Sequence, residues 1–170
     1  MSKFKFLSAC ALAIGTMGLA PAAIAAEGDV ITDAREIAPD GLIGIWKADM
    51  EASGYGHAKP QAAYRTFYYT EDGKILVSFQ TLGATGNISF GHWAAQLDGT
   101  PGIEYHSSAK SVPYNVVSWK PGEDGRLYLD VSRHGETYIK AIYELSADKQ
   151  TLKYSYGDTT VVYRRWNLKD

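Results

Sequence analysis

Cysteine is nearly missing from this chain: Cys10 is the only one in 170 residues, and it sits inside an N-terminal apolar run. Once that run is removed, neither a disulfide framework nor thiol chemistry is available. Clustered positive charge is missing too. The 17 basic residues are dispersed, which excludes a nucleic-acid or anionic-surface partner recognised by charge. His57, His92, His106 and His134 share no metal-ligand spacing with one another or with the acidic residues, so no metal or other cofactor is expected. There is no Gly-x-Ser-x-Gly nucleophile elbow. Gly83 to Asn87 links two strand-like runs and opens no helix, so it lacks the helix N-terminus a phosphate loop needs. The carboxylate pairs Glu71-Asp72 and Glu123-Asp124 fall in turns, where solvated acids are ordinary. These absences leave an enzyme with no visible catalytic constellation.

The N-terminal segment has a clear order. Lys3 and Lys5 precede an apolar run from Phe6 to Ala20, followed by small residues from Pro21 to Ala26 with an Ala-x-Ala site at Ala23 and Ala25. That is a bacterial secretory signal peptide over residues 1–26, so the protein is expected to be exported to the periplasm or beyond the cell. The run contains Gly15, Thr16 and Gly18 and is shorter than the roughly 20 residues of a span, so no stable membrane insertion is expected. Leu7-Ser8-Ala9-Cys10 has the look of a lipoprotein cleavage box. However, the apolar run continues beyond Cys10, which places the cysteine inside the signal rather than after it.

Removing residues 1–26 from 170 leaves 144, enough for one domain with a sizeable core. That part carries 15 basic and 19 acidic residues, a net charge of −4. Aromatic residues are plentiful, with 12 Tyr, 4 Trp and 5 Phe in the chain. Residues 27–41 read as a polar lead-in that frays or forms one turn of helix, and 42–170 as the folded domain. Short β-rich runs follow at Leu42–Asp49, Tyr64–Thr70, Ile75–Leu82, Ile88–Leu97, Val112–Trp119, Leu127–Arg133, Thr137–Leu145, Leu152–Tyr156 and Thr159–Trp166, with a small addition at Ile103–Tyr105. Turn chemistry separates them, as at Asp72-Gly73, Gly86-Asn87, Asp98-Gly99, Asp124-Gly125, His134-Gly135 and Gly157-Asp158. Ile75, Val77 and Phe79 alternate with polar neighbours, as do Leu127, Leu129 and Val131. No segment is long enough to be a helix covering a sheet. The expected fold is all-β, a single antiparallel up-and-down barrel of about 8–9 strands.

The first strand, Gly44-Ile45-Trp46, resembles the Gly-x-Trp start of lipocalin-like (calycin) barrels, of the type found in small exported bacterial proteins. The hairpins at Asp98-Gly99 and Ser146 to Thr151 fit that likeness. The resemblance implies that Trp46 lies at the closed end of the barrel. It also implies that Arg164 or Arg165 of the last strand packs across its indole, a cation–π contact of ~1 kcal/mol.

The aromatic excess suggests a ligand site. The irregular stretch Met50 to Ala63, the one long connection in a tight meander, is the natural lid, and it carries Tyr55 and His57. Strand Ile88–Leu97 places Ser89, Gly91, Trp93, Ala95 and Leu97 on one face, which turns Trp93 inward beside small residues. Tyr105 and Trp119 complete the candidate lining. Two readings of the lumen stay open, one filled by side chains and one open as a pocket. The first implies an envelope protein-interaction module with a partner of unknown identity. The second implies binding of a small hydrophobic or aromatic molecule.

Overall fold

The computed structural model describes residues 32–107 and 115–167. The signal peptide expected at 1–26, with Cys10, lies outside the described residues, as does the start of the strand expected at Val112.

A short helix, α1 (Ala34–Ile37), precedes the sheet. Asp33 caps it by accepting from the Arg35 N–H at 2.9 Å, and Ala34 N–H donates to Gly73 O at 2.8 Å. The ten strands are β1 (Gly44–Ala48), β2 (Ala62–Tyr69), β3 (Ile75–Leu82), β4 (Ile88–Ala95), β5 (Gly102–His106), β6 (Asn115–Pro121), β7 (Leu127–Arg133), β8 (Glu136–Leu145), β9 (Thr151–Tyr156) and β10 (Thr159–Arg165). Each pairs antiparallel with its sequence neighbour, and β10 returns to β1 to close the barrel. The closing register sets Trp46 opposite Arg165 and Lys47 opposite Arg164. Closure gives every strand among the described residues a neighbour on both sides.

The strand count exceeds the 8–9 read from the sequence. The tenth strand is β5, read from the sequence only as a small addition at Ile103–Tyr105; it holds three residue pairs with β4 and three with β6. A strand that short, with Glu104 at its centre, gives little alternation to detect.

Period-two alternation decides what faces inward. From β3, Ile75 and Val77 are buried; from β4, Trp93 and Ala95; from β7, Leu127, Leu129 and Val131. On β4 the apolar residues Ile88 and Phe90 face outward, 61% and 56% exposed. Gly91 shows why the inward residues flanking Trp93 are small. A Cβ there would strike the Phe79 ring and the Tyr105 carbonyl.

One half of the barrel is packed solid. Leu42, Trp46, Phe67, Ile75, Leu97, Trp119, Leu127, Tyr143 and Leu152 form its centre, with Phe67 edge-on to Tyr143 and Trp93 edge-on to Trp119. At its base the Arg165 guanidinium lies 4.3 Å from the Trp46 ring centroid. Arg165 also donates to Lys149 O and Ile43 O, both at 3.0 Å, and to Gly41 O. Gly44, at φ +139°, leaves the room this guanidinium occupies, since a Cβ would sit 2.7 Å from Arg165 Nη1. Arg164, one residue earlier, points outward to Asp49 Oδ2 at 3.2 Å and Thr151 Oγ1 at 2.8 Å. Among the described residues no helix is long and apolar enough to cross a membrane.

Candidate functional site

The other half of the lumen is not filled. Two hollows of about 270 and 230 Å³ open toward the ends of β2, β4, β7 and β9 that lie away from Trp46, and they share Arg65, Tyr154 and Tyr156. The first hollow has apolar walls from Phe79, Trp93, Leu129, Val131 and Ile139. The second is more polar, bordered by His57, Thr81, Asn87 and Ser89.

Arg65 stands where the two meet. Its position on β2 follows from strand parity, because Ala63 and Phe67, two residues to either side, are both buried. The guanidinium carbon lies 4.3 Å from the Tyr154 ring centroid, 5.4 Å from Tyr143, 5.6 Å from Phe79 and 5.8 Å from Tyr163. Four rings thus surround one cation, each attracting it through its π face. Nη1 donates to Tyr143 Oη, while Nε is buried with no hydrogen-bond partner. Among the described residues no carboxylate forms an ion pair with Arg65. The surrounding phenols stay neutral, since burial pushes Tyr154 up to about 12 and raises Tyr143 and Tyr163 as well. The cage therefore carries a positive charge with no carboxylate in contact, and Glu104 acts on it only across the first hollow.

A polar network forms another wall of the first hollow. Glu104, only 7% exposed, accepts from Asn115 Nδ2 at 2.8 Å. Asn115 Oδ1 in turn accepts from Arg133 Nε at 3.0 Å and Tyr138 Oη at 2.9 Å. Burial raises the Glu104 carboxyl above the usual range, against the opposing pull of the Asn115 hydrogen bond and the charges of His106, Arg65 and Arg133. Because the folded protein then binds this proton more tightly than the unfolded chain, the group's contribution to stability falls as pH rises through its titration. Glu104→Gln, which keeps the acceptor for Asn115, is expected to raise the urea midpoint at pH 7 and to leave it unchanged near pH 4. Urea titrations at both pH values check this, and an equal effect at the two would contradict it.

The connection from Asp49 to Gln61 is pinned rather than free. Asp49 Oδ1 accepts from the N–H groups of Glu51 and Ala52 at 3.2 and 3.1 Å. Ser53 Oγ donates to Asp49 O at 2.6 Å and accepts from Val162 N–H at 2.9 Å. Gly54 bridges to Thr160, and Gly56 N–H donates to Thr159 Oγ1 at 3.1 Å. This strap lays Tyr55 and His57, stacked at 5.6 Å, along the second hollow. Burial pushes the Tyr55 phenol up to about 12.

No family model, curated protein or solved structure matches the chain. The site must be read from its own geometry.

The five residues expected to line a ligand site separate into three groups. Tyr55 and His57 border the second hollow, and Trp93 borders the first. Trp119 lies beneath, 4.8 Å from Trp93 and 6.3 Å from Phe67 between ring centroids, and borders neither hollow. Tyr105 is on the outer wall, stacked on His92 at 5.4 Å. The reason is register: Gly102 and Glu104 pair with the buried Val117 and Asn115, which turns Glu104 and His106 inward and Tyr105 outward. Sequence reasoning passed over Arg65, Glu104, Asn115, Tyr154 and Tyr156. One signal was available for Arg65, which shares its face with Ala63 and Phe67, and another for Tyr154 and Tyr156, which share a face with Leu152.

Proposed function

We propose that this is an exported, lipocalin-like barrel whose open half holds a small molecule with an apolar or aromatic body. The observation that carries the reading is the contrast between the two halves of the lumen. Fully buried side chains occupy one, whereas the other keeps two hollows meeting at a caged guanidinium. A barrel built only for rigidity gains from filling its interior, since each void forfeits dispersion contacts. Concave, mostly apolar space with a few placed polar groups is how small-molecule sites are made. The cation over Trp46 at the packed end supports the lipocalin likeness, and the N-terminal segment supports export.

Trp93 is the only tryptophan bordering either hollow, so its fluorescence reports occupancy. A naphthalene probe entering the lumen is expected to quench or shift the emission, and Trp93→Phe to remove most of that change. Native mass spectrometry of protein gently purified from its own host should show a non-covalently bound small molecule. An unresponsive lumen together with a stoichiometric protein partner would replace this reading with another. The observation favouring that alternative is an apolar patch on the outer wall of β4 to β6, formed by Ile88, Phe90, Ile103, Tyr105 and Val116.

A further inference from the structure

Arg35, Arg65, Arg133 and Arg165 each pack against an aromatic ring, and the hydrogen bonding of the two most closely packed, Arg65 and Arg165, differs sharply. Arg165 covers Trp46 at the packed end, and all three of its nitrogens donate to backbone carbonyls. Each of its nitrogens has a partner within the fold, as a structural group requires. Arg65 stands against four rings, has only neutral phenol oxygens, that of Tyr143 foremost, as acceptors, and keeps a buried Nε without a partner. A guanidinium offers five donors in a planar fork and stays charged at every accessible pH. Taking such a group out of water without a counter-ion is strongly unfavourable. Yet the residue is placed where two hollows converge rather than inside a packed layer.

We infer that Arg65 anchors the acidic group of the ligand, so that the lumen takes a small aromatic or alicyclic organic acid carrying one negative charge. This rests on the ligand-binding reading above and specifies its chemistry. The planar fork matches a carboxylate, which can accept two parallel N–H bonds. Among the described residues Arg65 is the only lysine or arginine that itself lines either hollow, while Arg133 stands behind the wall, held by Asn115 Oδ1, so direct contact serves a single anionic group. Glu104 in the wall of the first hollow also disfavours further negative charge there. The apolar walls of the same hollow, Phe79, Trp93, Leu129, Val131 and Ile139, receive the ring body. The tyrosine faces around Arg65 replace part of the cation's hydration while it waits for the anion.

Calorimetric titration with 2-naphthoate and 2-naphthamide tests this, because the two probes share shape and differ by one charge. At pH 7 the full-length exported protein is expected to bind the acid at least about tenfold more tightly than the amide. In Arg65→Met that preference should vanish, with amide affinity kept. In Arg65→Lys, which retains charge without the fork, it should shrink to an intermediate ratio. Equal affinities in the wild-type protein, or a preference that survives in Arg65→Met, would overturn the anchor while leaving the lumen reading intact. Binding of neither probe would overturn both. The wild-type comparison decides the matter even if Arg65→Met fails to fold.

Discussion

Trp46→Ala is expected to lower the unfolding free energy by about 3–5 kcal/mol, the usual range for deleting a fully buried large aromatic side chain. Trp46 has no exposed surface, and its indole N–H donates to Leu42 O at 3.0 Å. Removing it uncovers that carbonyl and takes the ring from beneath Arg165, whose cation then loses its aromatic face. The closing register between β1 and β10 also runs through this residue, so the loss falls on the seam of the barrel. Equilibrium urea unfolding measures the effect. The neighbouring control is Arg164→Ala, an exposed group paired with Asp49, which should change stability by less than about 1 kcal/mol. A Trp46→Ala loss no larger than the control's would mean that the packed end does not hold the barrel shut.

The second large effect concerns the lumen. Ile139 on β8 lies opposite Val131 on β7 in the wall of the first hollow. Ile139→Trp introduces an indole into a space of about 270 Å³ and should weaken 2-naphthoate binding at least about 100-fold, or about 2.8 kcal/mol. Its effect on folding should be smaller, because a hollow can accept volume that a packed core cannot. Ser89→Trp makes the same test in the second hollow, whose polar border suits a ring body less well. It is expected to change affinity by less than about threefold. A reversed outcome, with Ser89→Trp blocking and Ile139→Trp harmless, would move the ligand's body into the second hollow.

How much of this was legible without coordinates differs from residue to residue. Asp72-Gly73, Asp124-Gly125 and Gly157-Asp158 announce hairpins because positive φ at these glycines, +77°, +76° and +48°, is tolerated by few other residues. Leu127, Leu129 and Val131 announce their inward face by alternation. Trp93 could be assigned inward because Gly91 and Ala95 share its face, even though Ile88 and Phe90 compete from the other. Tyr105 and Glu104 went the opposite way. A five-residue strand has too little alternation to fix its own parity, and apolar preference alone would turn the tyrosine inward. Arg65 was passed over for a related reason. A charged residue in an alternating strand is ordinarily a solvent-facing one, and only the burial of its neighbours on both sides contradicts that.

The sequence by itself determined the all-β class, the meander order and most of the inward faces, since these follow from period-two alternation and turn chemistry acting over ten residues or fewer. Tertiary structure alone decided that the short run at Ile103–Tyr105 is a full member of a ten-stranded barrel with Glu104 inside, that Arg165 rather than Arg164 covers Trp46, and that half the lumen stays open around Arg65. The volume left inside a closed barrel is the difference between its bore and the summed side chains of all ten strands. No local stretch of sequence contains that difference, and it takes form only when β10 meets β1.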